Sequence, residues 1–175
     1  WARRGPEGRP VLGSRTMRTA IVGATGAVGQ ELLELLADRA FPLTSLRAFA
    51  SARSVGRSVT FRGESVPVES LPDDGDLGAD VVFSSAGGTL SRAHAWSWAS
   101  HGAVVVDNTS AWRLDPRVPL VVPEVNPGAI GEHRGVIANP NCSTILALLA
   151  LAPLHRAFGL TRATVATYQA VSGAG

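Results

Sequence analysis

From Thr19 onward two kinds of apolar run alternate along the chain: short stretches rich in β-branched residues, and longer segments with apolar residues at helical spacing. Thr19–Gly23 (TAIVG) predicts a first strand. After a glycine turn, Ala27–Asp38 predicts a helix with Val28, Leu32, Leu35 and Leu36 on one face and Glu31 and Glu34 on the other. Leu46–Ala50, Asp80–Phe83 and Ala103–Val106 predict further strands, the last two separated by a helix over Thr89–Ser100. Gly135–Ala138 predicts another strand, followed by an Asn-Pro-Asn turn and a strongly apolar helix over Ser143–Phe158 that stops near Gly159. Pro153 should kink that helix, because its ring removes a backbone donor and crowds the preceding turn. Arg162–Gln169 returns to strand composition, and Val59–Ser70 holds two short β-rich pieces around Gly63 and Pro67. Strands alternating with helices argue for an α/β fold on a parallel sheet, not for a sandwich or a bundle.

A chain of 175 residues, 45% apolar, is long enough for one core. Its longest apolar stretch, Ile145–Pro153, falls far short of the roughly 20 residues that cross a bilayer, so no membrane partner is expected. The sequence pI of about 9.5 looks basic. However, the 16 basic residues are all arginine, and five of them crowd into the first 18 positions, which leaves the remainder slightly acidic. No clustered basic face is left to suggest a nucleic-acid partner. Residues 1–16 lack the apolar run of a secretory signal, and Met17 directly precedes the first strand. They are therefore read as a leader outside the native fold: upstream readthrough, a processed remnant or vector-derived sequence, with a short organellar transit peptide as the alternative. The single cysteine, Cys142, cannot pair internally and suits a reducing, cytoplasmic setting.

Several segments could carry chemistry. Gly23-Ala24-Thr25-Gly26-Ala27-Val28-Gly29 joins a strand to a helix, where backbone N–H groups can approach a pyrophosphate. Its spacing, G-x-x-G-x-x-G, departs from the commoner G-x-G-x-x-G, and the alternative is a tight turn that binds nothing. Ser51-Ala52-Arg53-Ser54 ends the second strand without the carboxylate that NAD-preferring folds use for the ribose 2′-hydroxyl. An arginine between two hydroxyls suits a 2′-phosphate, though a solvated loop arginine explains the segment as well. Cys142 lies in Asn139-Pro140-Asn141-Cys142-Ser143-Thr144-Ile145. A lone cysteine is commonly a small buried hydrophobe. At a helix N-terminus, the dipole and unpaired N–H groups favour the thiolate and can steady an oxyanion. Arg113 in DNTSAWR is a candidate anion clamp and Gln169 in TYQAVSGAG a candidate polar positioner, and either could be structural. His94, His101, His133 and His155 have no acid or thiol at catalytic spacing, and no metal-ligand cluster is visible.

Taken in order, GATGAVG, SARS, SSAGG (Ser84–Gly88), DNTSAWR, VPEVN (Val122–Asn126), ANPNCSTI and TYQAVSGAG closely resemble the aspartate-semialdehyde dehydrogenase family over Thr19–Gly175. The resemblance implies a Rossmann-like, doubly wound, mostly parallel sheet over residues 17–159 that binds NADP. Residues 160–175 would open a truncated C-terminal catalytic and dimerisation domain. It also implies Thr25, Gly26, Ala27 and Val28 at the pyrophosphate, Arg53 and Ser54 at the 2′-phosphate, and Ser172 and Gly173 near the nicotinamide. Cys142 would be the nucleophile, Arg113 would bind phosphate, Gln169 would orient substrate and Asn141 would shape the pocket. The implied reaction interconverts aspartate 4-semialdehyde and aspartyl 4-phosphate through a cysteine thioester, in the biosynthesis of lysine through diaminopimelate, of threonine and of methionine. The parent would be a homodimer or homotetramer. The family's substrate-carboxylate arginine and its acid–base histidine belong to the second domain, so the fragment alone is expected to be inactive. Two alternatives are a relative of N-acetyl-glutamyl-phosphate reductase, whose nucleophile turn usually reads NPGCYPT, and a non-catalytic NADP-binding relative.

Overall fold

The computed structural model describes residues 16–168. Seven strands form one sheet: β1 (Met17–Val22), β2 (Leu43–Phe49), β3 (Ser58–Phe61), β4 (Glu64–Glu69), β5 (Val81–Ser84), β6 (Val104–Asp107) and β7 (Val136–Ala138). Three helices accompany them: α1 (Ala27–Asp38), α2 (Gly88–Ser100) and α3 (Cys142–Phe158). The strand order is β3-β4-β2-β1-β5-β6-β7, parallel throughout except for the antiparallel β3–β4 pair. The fold is the expected doubly wound, Rossmann-like α/β sheet.

Alternation along the central strands divides the core in two. Ile21 and Ala48 face α1 and pack with Leu33, Leu36, Val59 and Val68. Ala20, Val22, Phe49, Val82, Val105 and Val136 face the opposite side, with Ala95 and Trp98 of α2. Because both faces are covered, the strands read as nearly continuous apolar runs. The β3–β4 hairpin resolves the ambiguous Val59–Ser70 stretch. Arg62 (φ 51) and Gly63 (φ 82) form a two-residue loop between the paired Phe61 and Glu64. Two successive left-handed residues give the loop a twist that matches its strands. Pro67 lies just before the β2–β4 pairing starts at Val68, so its missing donor interrupts no parallel ladder.

The structure bears on three of these expectations. The buried face of α1 is Gly29, Leu33 and Leu36, whereas Val28 and Leu35 are 42% and 41% exposed. Leu36 is buried as expected and Leu32 packs against the core, while Leu33 takes the buried place expected of Val28 and Leu35. Burying each such leucine contributes about 1.5–3 kcal/mol. Second, α3 runs through Pro153 as one helix to its left-handed C-cap at Gly159 (φ 69), with Asn141 at its N-cap. Third, residues 162–168 form no strand. A strand needs a hydrogen-bonding neighbour, and after α3 the described chain pairs with none. The remainder of the expected strand, Gln169, lies outside the described residues, as do Ser172 and Gly173.

Candidate active site at the carboxyl edge

The connections reverse direction between β1 and β5. From β1 the chain leaves through α1 on one face, and from β5 through α2 on the other. In open α/β sheets the crevice above such a switch point is where ligands bind. Two glycine-dependent contacts and a helix start without a side-chain cap shape it. A Cβ on Gly23 (φ 92) would lie 2.9 Å from Ser85 Oγ, so glycine is required where the turns after β1 and β5 meet. A Cβ on Gly29 would stand 2.2 Å from the Gly23 carbonyl oxygen, which presses α1 directly onto its own turn. Gly26, the N-cap of α1, offers no side-chain cap, and the first turn carries no acid. The N–H groups of that turn thus have neither an intrahelical acceptor nor a competing carboxylate.

Thr25, Gly26, Ala27 and Val28 are all exposed on this turn. Thr25 Oγ1 lies 3.4 Å from Ser54 Oγ, which joins the pyrophosphate candidates to the loop after β2. Arg53, exposed, and Ser54, half-buried, occupy a 3-10 turn, Ala52–Ser54. Glu69, the acid ending the neighbouring β4, is held by Arg47, whose Nε donates to Oε1 at 3.0 Å. That hydrogen bond keeps the Glu69 carboxyl below the ordinary carboxylate range. These residues fit a phosphorylated dinucleotide: bare N–H groups for a pyrophosphate, and a guanidinium beside a hydroxyl for a further phosphate.

Across the crevice, Cys142 is the first residue of α3 and is exposed. Asn141 Oδ1 accepts from the Ser143 N–H at 3.0 Å, capping the helix at the thiol. Arg113 is half-buried, and its guanidinium bridges two strand exits: Nε donates to the Asn139 carbonyl and Nη2 to the Asn108 carbonyl, both at 3.0 Å. The structure thus brings Arg113, Asn141 and Cys142 to the loops after β6 and β7, on the sheet edge that also carries the glycine turn. Arg53 and Ser54 follow β2 on the same edge.

The family profile described as semialdehyde dehydrogenase, NAD binding domain, matches residues 18–133. The chain belongs to the semialdehyde dehydrogenase family. Aspartate-semialdehyde dehydrogenase of Synechocystis is 54% identical over 159 residues, which is 91% of this chain and 47% of that protein. The crystal structure of aspartate semialdehyde dehydrogenase II from Vibrio cholerae complexed with ASA superposes with a TM-score of 0.78 at 48% identity, covering 83% of this chain and 48% of that one. The Candida albicans aspartate semialdehyde dehydrogenase with NADP gives 0.70 at 29% identity, covering 83% and 48%. The chain therefore spans about half the length of the curated relatives it matches.

Two features of this semialdehyde dehydrogenase chain escaped the sequence reading. Asp107, fully buried at the end of β6, accepts from Ser91 Oγ, from Thr109 N–H (2.8 Å) and from Thr109 Oγ1 (2.6 Å), and Trp112 Nε1 donates to Ser91 Oγ (2.8 Å). This network seats the loop that ends in Arg113. Its local signal was the Asp-Asn-Thr turn cluster, since an Asp side chain readily binds the N–H two residues on. The second feature, a contact between the Asn108 and Asn139 side chains, had no local signal. His94 stacks on Trp98 with ring centroids 5.8 Å apart, and His133 Nδ1 accepts from the Gly135 N–H at 3.0 Å. A hollow lined by Leu43, Thr44, Phe61 and Arg62 opens at the start of β2, away from the carboxyl edge. Among the described residues no helix is long and apolar enough to cross a membrane, and no three His, Cys, Asp or Glu side chains gather to hold a metal.

Proposed function

We propose that the chain is the N-terminal part of an NADP-dependent aspartate-semialdehyde dehydrogenase. Residues 17–159 would form the cofactor domain that carries the nucleophile, and residues 160–175 would open a second, catalytic and dimerisation domain. The observation that carries this reading is the exposed Cys142 at the start of α3, three residues beyond the Asn139 carbonyl that Arg113 holds. A thiol in that position gains from the helix dipole, and an anion clamp stands in the adjoining loop.

In the oxidative direction the Cys142 thiolate adds to the aldehyde carbon, and the first-turn N–H groups of α3 steady the resulting oxyanion. A bound NADP, held by Thr25, Gly26, Ala27, Val28, Arg53 and Ser54, would supply the hydride acceptor for that carbon. The product on the protein is a thioester at Cys142. Inorganic phosphate, neutralised by Arg113, attacks the acyl carbon, expels the thiolate and leaves as aspartyl 4-phosphate. Biosynthesis of lysine, threonine and methionine uses the reverse direction. Thr25, Gly26, Ala27 and Val28 would hold the pyrophosphate, and Arg53 and Ser54 the 2′-phosphate, which supports NADP over NAD. Ser172 and Gly173 would flank the nicotinamide. Gln169 would orient the substrate, and Asn141 would help shape the pocket while fixing the helix start at Cys142. The relatives solved with NADP and with ASA support the cofactor and the substrate.

The aspartate-semialdehyde dehydrogenase relatives, at about 50% identity, favour this reading over an N-acetyl-glutamyl-phosphate reductase. Retention of Cys142 and Arg113 at one sheet edge favours it over a non-catalytic relative. The family likeness supports a homodimer or homotetramer, and the lone cysteine supports a cytoplasmic setting. Residues 1–175 alone should bind NADP weakly and not turn over, because the family's carboxylate-binding arginine and acid–base histidine lie in the second domain. The test is a phosphate-dependent assay of the full-length protein. NADPH should form from aspartate semialdehyde only when phosphate is present, and Cys142→Ala should abolish it; undiminished activity in that variant would refute the reading.

A further inference from the structure

The β6–β7 ladder ends at the Asp107–Ala138 pair, and the next register position would pair Asn108 with Asn139. The ladder stops there, with Pro140 next in the second chain. Two backbone anchors hold this point: the Asn139 N–H donates to the Asp107 carbonyl and the Asn108 N–H to the Ser84 carbonyl, both at 2.8 Å. Beyond the ladder, side chains take over. Asn139 Nδ2 donates to Asn108 Oδ1 at 2.6 Å. Arg113 spans the same gap through the Asn139 and Asn108 carbonyls. The amide pair and the guanidinium therefore close a ring between the two strand exits. Nε and Nη2 share the side-on edge of the guanidinium, so both backbone bonds fall on that edge and Nη1 lies outside them.

We infer that Asn108 and Asn139 are positioning residues that fix the cysteine-bearing turn against Arg113. The inference rests on the proposed reading, in which Arg113 faces phosphate and Cys142 carries the acyl group. Cys142 lies three residues beyond Asn139, a reach of at most about 10 Å of chain. Within that span Pro140 restricts the backbone and the Asn141 cap fixes the helix start. The remaining freedom is the hinge where the strands part, and the amide pair closes it. Phosphate held by Arg113 must reach the acyl carbon on Cys142 in line, and a displacement on the order of 1 Å can cost about a hundredfold in rate. The pyrophosphate and 2′-phosphate candidates follow β1 and β2, on other strands, so the pair should act on the phosphate step and not on cofactor binding.

The test is a double-mutant cycle in the full-length protein with Asn108→Ala, Asn139→Ala and the double variant. Each single variant should raise the KM for phosphate about tenfold and lower kcat severalfold, while the KM for NADP stays within twofold of the parent. The double variant should be no worse than either single one, because one bond is lost in each case. Protection of Cys142 by phosphate against iodoacetamide gives a readout independent of turnover, and it should weaken in step with KM. A purely structural pair would lower the melting temperature and leave phosphate KM and protection unchanged, which overturns the inference, as would strictly additive losses. If a single variant does not fold, Asn108→Ser and Asn139→Ser enter the cycle in its place. Failure of this idea is separable from failure of the function: a parent without phosphate-dependent activity defeats the functional reading, whereas an active parent whose Arg113→Ala variant alone loses phosphate affinity defeats only the pair.

Discussion

Gly29 lies so close to Gly23 that a single methyl group on it would meet the Gly23 carbonyl oxygen at 2.2 Å and the Ala24 Cα at 2.8 Å. Both obstacles are backbone, so neither can swing aside as a side chain would. The first turn of α1 is thereby pinned on the end of β1, at the crevice where the sheet reverses its winding. Gly29→Ala should therefore destabilise the protein by roughly 2–3 kcal/mol and weaken NADP at least tenfold, as α1 is levered off its turn. Gly128→Ala is the control, because nothing lies within 4 Å of the added carbon. Thermal melts and cofactor titration of both variants check the expectation, and equal behaviour of the two would contradict it.

Arg53 should discriminate between the two dinucleotides. It sits exposed in the turn after β2, beside Ser54, where no carboxylate competes. Removing a charge-assisted hydrogen bond to a 2′-phosphate costs about 1.5–3 kcal/mol, or about 10- to 150-fold in affinity. Arg53→Ala should weaken NADP by that factor and leave NAD nearly unchanged in parallel titrations. An equal loss for both dinucleotides would remove Arg53 from the phosphate site.

Acid should reveal the Arg47–Glu69 pair. The Arg47 hydrogen bond lowers the Glu69 pKa from its ordinary 4.5. The pair's contribution is therefore fully present above about pH 4.5 and is lost as pH falls through the depressed folded value. Both side chains are more than a third exposed, so the contribution at neutral pH is at most about 1 kcal/mol. Glu69→Gln should melt slightly below the parent at pH 7, and the gap should close as pH falls below 4.5 through the depressed folded value. A gap that widens on acidification would show the sign to be wrong.

How much of this was legible in the sequence depended on how local each signal was. The strand–glycine–helix unit from Met17 to Asp38 was readable because strand composition, turn residues and helical spacing agree over consecutive positions. The cysteine at the start of α3 was readable for the same reason, since the Asn-Pro-Asn turn stops one element and caps the next. The inward face of α1 was not, because Val28, Leu32, Leu33, Leu35 and Leu36 wrap most of the helix with apolar groups. Only the approach of Gly29 to Gly23, a tertiary fact, decides which of them turns inward. Residues 162–168 have strand composition but no strand partner among the described residues, and composition alone cannot supply a neighbour. The Asn108–Asn139 contact spans 31 positions, so no window along the chain could have found it.

The central claim is that the sulfur of Cys142 becomes acylated. The direct measurement is to mix the full-length protein with aspartate semialdehyde and NADP without phosphate, quench it in acid and map the adduct by peptide mass spectrometry. The account predicts one aspartyl group on the peptide containing Cys142, removable by hydroxylamine and discharged on adding phosphate, with one NADPH formed per site. NADPH formation with Cys142 unmodified, or an acyl group on any other residue, would contradict it.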